Sequence, residues 1–74
     1  MKINVVGLGY IGLPTALTMA NAGFTVVGTD YNKGLVETLN AGKVTFEEKG
    51  LVELFNSAVS TGNISFSNDY QEAE

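Results

Sequence analysis

The sequence contains no cysteine, a single proline and little positive charge. Without cysteine there is no disulfide framework, no thiolate metal site and no sulfur nucleophile in these 74 residues, and that composition fits a cytoplasmic location. The only basic residues are Lys2, Lys33, Lys43 and Lys49, scattered along a chain whose formal net charge is −4. That leaves no basic patch for a polyanion, so nucleic acid is not an expected partner. Charge is missing altogether between Lys2 and Asp30. Glycines, Pro14 and polar residues interrupt that stretch, however, and no apolar run approaches the roughly 18 residues of a membrane span. Neither a targeting segment nor a membrane partner is therefore expected.

Length sets the next bound. A chain of this size buries only about 60–65% of its unfolded surface and is marginal as an independent fold. Hydrophobic content of 45% against 16% charged residues is that of a globular protein. Residues 1–74 thus read as at most one domain, and better as the first part of one. There is no internal repeat, low-complexity segment or linker.

What the chain does have is Gly7-Leu8-Gly9-Tyr10-Ile11-Gly12, placed between an apolar strand-like run and a helix-like pattern. In that context each glycine has a physical task. Gly7 permits the tight strand-to-helix turn, Gly9 lets a pyrophosphate approach the backbone, and Gly12 lets the helix pack closely on the strand. The helix that follows begins with unpaired N–H groups and a positive dipole end, both favourable to phosphate. Asp30 lies 21 residues beyond Gly9, at the end of a second strand-like run. A carboxylate there accepts hydrogen bonds from an adenosine ribose and repels a 2′-phosphate on it. The chain has no arginine to clamp such a phosphate, so NAD is favoured over NADP. FAD-binding proteins share this fingerprint, and these positions do not separate the two. The bland alternative for Asp30 is a strand-end residue that caps the next helix.

The hydrophobic pattern supplies the rest of the layout. Residues 2–6 read as a buried parallel strand. A first helix is expected from residue 10 or 11 to 21, with Pro14 tolerated in its first turn. Leu13, Ala16, Leu17 and Ala20 make its packing face, and Gly23 is its stop. A second strand covers 24–29, a short helix 33–39 ending at Gly42, a third helix 50–60 closed by Gly62, and a third strand 64–66. Leu51, Leu54, Phe55 and Ala58 share one face of that third helix, and Phe46, Phe55 and Phe66 read as core. One more helix is expected from Tyr70. This alternation demands right-handed crossovers and a parallel sheet. The fold class is therefore α/β: a partial, Rossmann-like parallel sheet of three strands in order 3-2-1 with flanking helices, cut before the fourth strand. The first strand would leave a bare apolar edge, so the chain is expected to open a longer polypeptide.

Further residues identify a family. The stretch from Val6 to Ala16, VGLGYIGLPTA, resembles the opening of the UDP-glucose/GDP-mannose dehydrogenase family, with its GxGYxGLPxA. Leu39-Asn-Ala-Gly42 is similar to the family's LNxG, and Glu48-Lys-Gly-Leu51 to its ExGL. Ile64-Ser-Phe66 with Asp69 resembles the third strand and the turn after it. The resemblance covers essentially the whole chain. It implies an NAD-dependent enzyme with the N-terminal part of a dinucleotide-binding domain at 1–74, then a central dimer-forming region and a sugar-nucleotide domain, acting as a homodimer. Such enzymes oxidise the C6 alcohol of a nucleotide sugar to a carboxylate in two hydride transfers. Their catalytic cysteine, lysine, asparagine and aspartate fall downstream, so no catalytic residue is expected here. The cofactor positions that carry over are Gly7, Gly9, Tyr10, Ile11 and Gly12 around the pyrophosphate and Asp30 on the ribose. The isoleucine of GYIGLPTA points to the branch acting on UDP-N-acetylhexosamines such as UDP-N-acetylmannosamine, with UDP-glucose the other reading. A non-catalytic NAD-sensing module is the alternative function.

Two positions depart from the family pattern. Leu35 stands where the family usually has Lys or Arg, five residues after the ribose aspartate, and Thr45 and Lys49 replace both prolines of its PxxEPGL. The adjacent Glu47 and Glu48 read as favourable charge near a helix N-terminus rather than an acid–base pair. Thr15 and Thr18 read as helix surface or back-bonded hydroxyls. The ring of Tyr10 has two readings: it covers the cofactor's phosphate, or it covers the end of the sheet.

Overall fold

Short β-rich runs and amphipathic helices alternate along the chain, and in the computed structural model, which describes residues 2–69, each folds as its pattern requires. The elements are β1 (Lys2–Val6), α1 (Gly12–Asn21), β2 (Thr25–Thr29), α2 (Lys33–Asn40), α3 (Leu51–Thr61) and β3 (Ile64–Ser67). The strands form one parallel sheet with β2 in the middle, which is the expected order 3-2-1. Ile3 pairs with Val26 and Val26 with Ile64; two residues on, Val5 pairs with Gly28 and Gly28 with Phe66. Because side chains alternate along a strand, this register gathers Ile3, Val5, Val26, Ile64 and Phe66 on one face. All five belong to, or pack against, the core that α1 and α3 cover.

On that face α1 buries Leu13, Ala16, Leu17 and Ala20, the four residues of the anticipated stripe. The third helix buries Leu51, Phe55 and Ala58 and leaves Leu54 half-buried. Each large apolar side chain so buried stabilises the fold by about 1.5–3 kcal/mol. Helix stops follow the glycines, with Gly23 and Gly62 both in the left-handed region. Of the phenylalanines, Phe55 is fully buried, while Phe46 and Phe66 are half-buried against the core. The rings of Phe55 and Phe66 stack at 6.0 Å.

Three expectations need correction. The first strand is not buried: Lys2, Asn4 and Val6 are exposed and Ile3 and Val5 half-buried, because α1 covers the face that carries Ile3 and Val5 while the opposite face is left to solvent. The first helix starts at Gly12 rather than residue 10 or 11. Pro14 has no N–H for the Tyr10 carbonyl, so the continuous ladder begins with the bond from Thr15 N–H to Ile11 O, 3.2 Å. Phe24 lies outside β2 because its N–H turns back to Met19 O, at 3.1 Å, in the turn after α1. The helix expected from Tyr70 lies outside the described residues. No described helix is long and apolar enough to cross a membrane.

Candidate functional site

Where β1 ends, Gly7 turns the chain with φ +92°, a conformation that glycine adopts without a steric penalty. Its N–H donates to Thr29 O at 2.7 Å, tying the start of the loop to the end of β2. Leu8 then points inward. Its side chain is fully buried, and it lies so close over Gly28 that a β-carbon there would come within 2.8 Å of Leu8 Cδ2. The Leu8 N–H donates to Asp30 Oδ2 at 2.8 Å.

The next three residues face out. A β-carbon on Gly9 would meet no atom within 4 Å, and Tyr10 and Ile11 are 77% and 83% exposed. Gly12 closes the loop under the opposite condition, since a β-carbon there would land inside the Gly7 carbonyl. The first bond that turns back into the loop runs from Leu13 N–H to Gly9 O, 3.1 Å. The N–H groups of Gly9, Tyr10, Ile11 and Gly12 therefore stand ahead of the helical ladder. Ile11, at the N-cap, offers no capping side chain, and no acidic residue occupies the first turn. The positive end of α1 thus meets no protein anion of its own helix, and a phosphate would be favoured there.

Asp30 sits half-buried beside this opening. Besides the Leu8 bond, its Oδ1 accepts from Asn32 N–H at 2.9 Å. A carboxylate has about four acceptor positions, so each oxygen keeps capacity for a ribose hydroxyl. The alternative role, capping α2, belongs to Asn32 instead, whose Oδ1 accepts from Leu35 N–H at 3.0 Å. Leu35 packs against the core, and Lys33 is exposed at the first residue of α2.

The Tyr10 ring lies against Phe46 on the connection between α2 and α3, with centroids 4.6 Å apart and planes tilted by 51°. Thr15 Oγ1 bonds back to Ile11 O at 2.8 Å, the bland reading of that residue, and Thr18, Glu47 and Glu48 are exposed. No group of three or more potential metal ligands occurs among the described residues.

All six residues singled out from the sequence thus lie in one loop and the strand end beside it. Reading the motif alone missed Leu8, Gly28 and Asn32. A glycine inside a strand signals close backbone approach, and Gly28 marks the seat of Leu8. Asn32 precedes the helical pattern and was legible as a cap. The free N–H groups, the open space at Gly9 and the spare acceptor capacity of Asp30 together fit a pyrophosphate with a ribose next to it.

Comparison with known proteins gives the same answer from another direction. The family model described as "UDP-glucose/GDP-mannose dehydrogenase family, NAD binding domain" matches residues 1–74. A UDP-N-acetyl-D-mannosamine dehydrogenase of Methanococcus aeolicus is 44% identical over 73 residues, covering 99% of this chain and 17% of the relative. A UDP-glucose dehydrogenase structure from Pyrobaculum islandicum superposes with a TM-score of 0.92 at 42% identity, over 97% of this chain and 17% of that one. The UDP-N-acetyl-mannosamine dehydrogenase of Staphylococcus aureus superposes at 0.88 with 41% identity, over 92% and 16%. The chain therefore spans about a sixth of the length of the relatives it matches.

Proposed function

The chain belongs to the UDP-glucose/GDP-mannose dehydrogenase family, and from that premise we propose that it is the opening stretch of a longer nucleotide-sugar 6-dehydrogenase. In this reading the protein oxidises the C6 alcohol of a UDP-sugar to the uronate in two NAD-dependent steps. The substrate is a UDP-N-acetylhexosamine, a reading supported by the name of the Methanococcus relative. Residues 1–74 form the first part of the dinucleotide-binding domain, and the sugar-nucleotide domain, the catalytic residues and the dimer contact lie beyond them. The active form is a cytoplasmic homodimer, with neither nucleic acid nor membrane as a partner.

The observation that carries the reading is the open, donor-lined loop with a fixed carboxylate beside it. Bound NAD would supply the hydride acceptor. The chain's own part is to hold it: Gly9, Tyr10, Ile11 and Gly12 offer backbone N–H groups to the pyrophosphate. Gly7 sets the turn that aims them. Asp30, already oriented by the Leu8 and Asn32 N–H groups, takes the ribose hydroxyls and repels a 2′-phosphate.

The test is to supply the full-length protein with NAD or NADP and with UDP-N-acetylmannosamine, UDP-N-acetylglucosamine or UDP-glucose. NADH formation is followed with the sugar product. Two NADH per uronate, from a UDP-N-acetylhexosamine and with NAD preferred, is the expected result. Turnover of UDP-glucose alone would move the substrate to the other branch, and NAD binding without any turnover would favour a sensing module.

A further inference from the structure

The connection between α2 and α3 touches the cofactor loop through the Tyr10–Phe46 ring pair. Its backbone bonds lie near its ends, from Lys43 N–H to Thr38 O at 3.1 Å and from Leu51 N–H to Glu48 O at 3.0 Å. Between them it is seated by Val44 and Phe46, which pack against the core. Thr45 Oγ1 is buried there without a hydrogen-bond partner among the described residues, so the Thr45 hydroxyl does not help to hold this stretch. Phe46 is thus half embedded below and presents its ring to Tyr10 above.

Tyr10 has few other holds. It is 77% exposed, and its N–H is one of those standing ahead of the α1 ladder. A side chain so exposed ordinarily samples several rotamers. Seating the ring on Phe46 removes that freedom before any ligand arrives. A loop already ordered in its binding shape loses less entropy on binding, which raises affinity without a new contact.

We infer that Phe46 is a positioning residue for the cofactor loop, acting through the Tyr10 ring 4.6 Å away. It touches neither pyrophosphate nor ribose in this account. It holds in place the Tyr10–Ile11 segment, whose N–H groups stand ahead of the α1 ladder. The inference rests on the NAD-binding reading above.

A double-mutant cycle in the full-length protein tests it, with NAD affinity measured by titration and thermal midpoint measured alongside. The variants are Tyr10→Ala, Phe46→Leu, their combination and Phe46→Tyr. Leucine keeps the apolar volume seated on the core and removes only the ring. An aromatic pair of this kind accounts for a factor of about two to ten in an equilibrium constant. Each single variant is expected to weaken NAD by about that factor, and the double variant by no more than the larger single loss. Phe46→Tyr, which keeps a ring at the contact, is expected to restore binding. A purely structural role would instead lower the thermal midpoint of Phe46→Leu and leave the dissociation constant of the folded protein where it was. That result, or losses that multiply in the double variant, overturns the inference while wild-type binding keeps the NAD reading intact. If the wild-type protein does not bind NAD, the functional reading falls and the inference with it.

Discussion

At the closing end of the glycine loop a β-carbon on Gly12 would land inside the Gly7 carbonyl, whereas at its outer end a β-carbon on Gly9 would meet nothing within 4 Å. Both positions belong to the same short motif, yet the protein itself explains only one of them. Gly12 is required by the fold, because α1 must start in contact with the turn that Gly7 makes. Gly9 adopts no left-handed conformation and touches no wall, so nothing among the described residues demands a glycine there. In the proposed reading the demand comes from the pyrophosphate, which is to approach the backbone at that point. A motif that looks uniform in sequence thus divides into a structural half and a ligand half, and substitutions separate the two.

Gly12→Ala has the largest effect. The clash is with backbone, which cannot rotate aside as a side chain can, so α1 or the Gly7 turn must shift. Overpacking costs about 1–3 kcal/mol and occasionally more, a large share of the stability of a small domain. A large fall in urea midpoint, with NAD binding lost in parallel, is expected. A stable Gly12→Ala protein that still binds NAD would dissolve the distinction between the two halves.

Asp30→Ala comes next, because Asp30 serves both halves. Its removal strands the part-buried Leu8 N–H, at a cost of about 1–3 kcal/mol, and takes away the proposed ribose acceptor. Asp30→Asn keeps one acceptor oxygen but turns an amide donor toward a second N–H, so its stability should fall between wild type and alanine. Both variants should narrow the preference for NAD over NADP, read by titrating each cofactor. If stability falls and cofactor preference stays fixed, Asp30 is a loop anchor alone.

Much of this arrangement was legible in the sequence. The stripe Leu13, Ala16, Leu17, Ala20 gave the buried face of α1, since helical period leaves few other solutions, and alternating elements gave the parallel order 3-2-1. Details set by tertiary contact were not legible. The half-exposure of β1 is the exception, since Lys2 and Asn4 alternate with Ile3 and Val5 in the pattern of a half-buried strand. That Leu8 would be the buried residue of the motif depends on Gly28 lying beneath it, in another strand. Asp30 was read as a ligand residue or a helix cap, and its bond to Leu8 N–H belongs to neither. A motif names the residues near a ligand without showing which of them hold the others in place.

Asn32→Ala isolates the helix-cap role that Asp30 does not perform. Losing the bond from Leu35 N–H to Asn32 Oδ1 should cost about 1 kcal/mol and lower the thermal midpoint modestly. The Asn32 backbone N–H, which orients Asp30, survives the change, so NAD affinity should move less than twofold by an estimate of about 0.4 kcal/mol or under. A larger loss of affinity would mean that α2 must be capped for Asp30 to be aimed.

Gly9→Ala should cost the fold nothing. The backbone there is open to any L-residue and the space is empty, so shortening the list of unfolded conformations could even stabilise the protein by about 0.4–1 kcal/mol. Affinity should move the other way. The added methyl stands on the open side of the loop, where the pyrophosphate must come close to the N–H groups, so those charge-assisted bonds would lengthen or break. Each such bond is worth about 1.5–3 kcal/mol, which is about tenfold to over a hundredfold in the dissociation constant for NAD. A protein as stable as the wild type, or more so, with that loss of binding is what a glycine kept for a ligand predicts. Equal affinity in Gly9→Ala would mean that the pyrophosphate does not approach the loop at Gly9, and the open half of the motif would need another occupant.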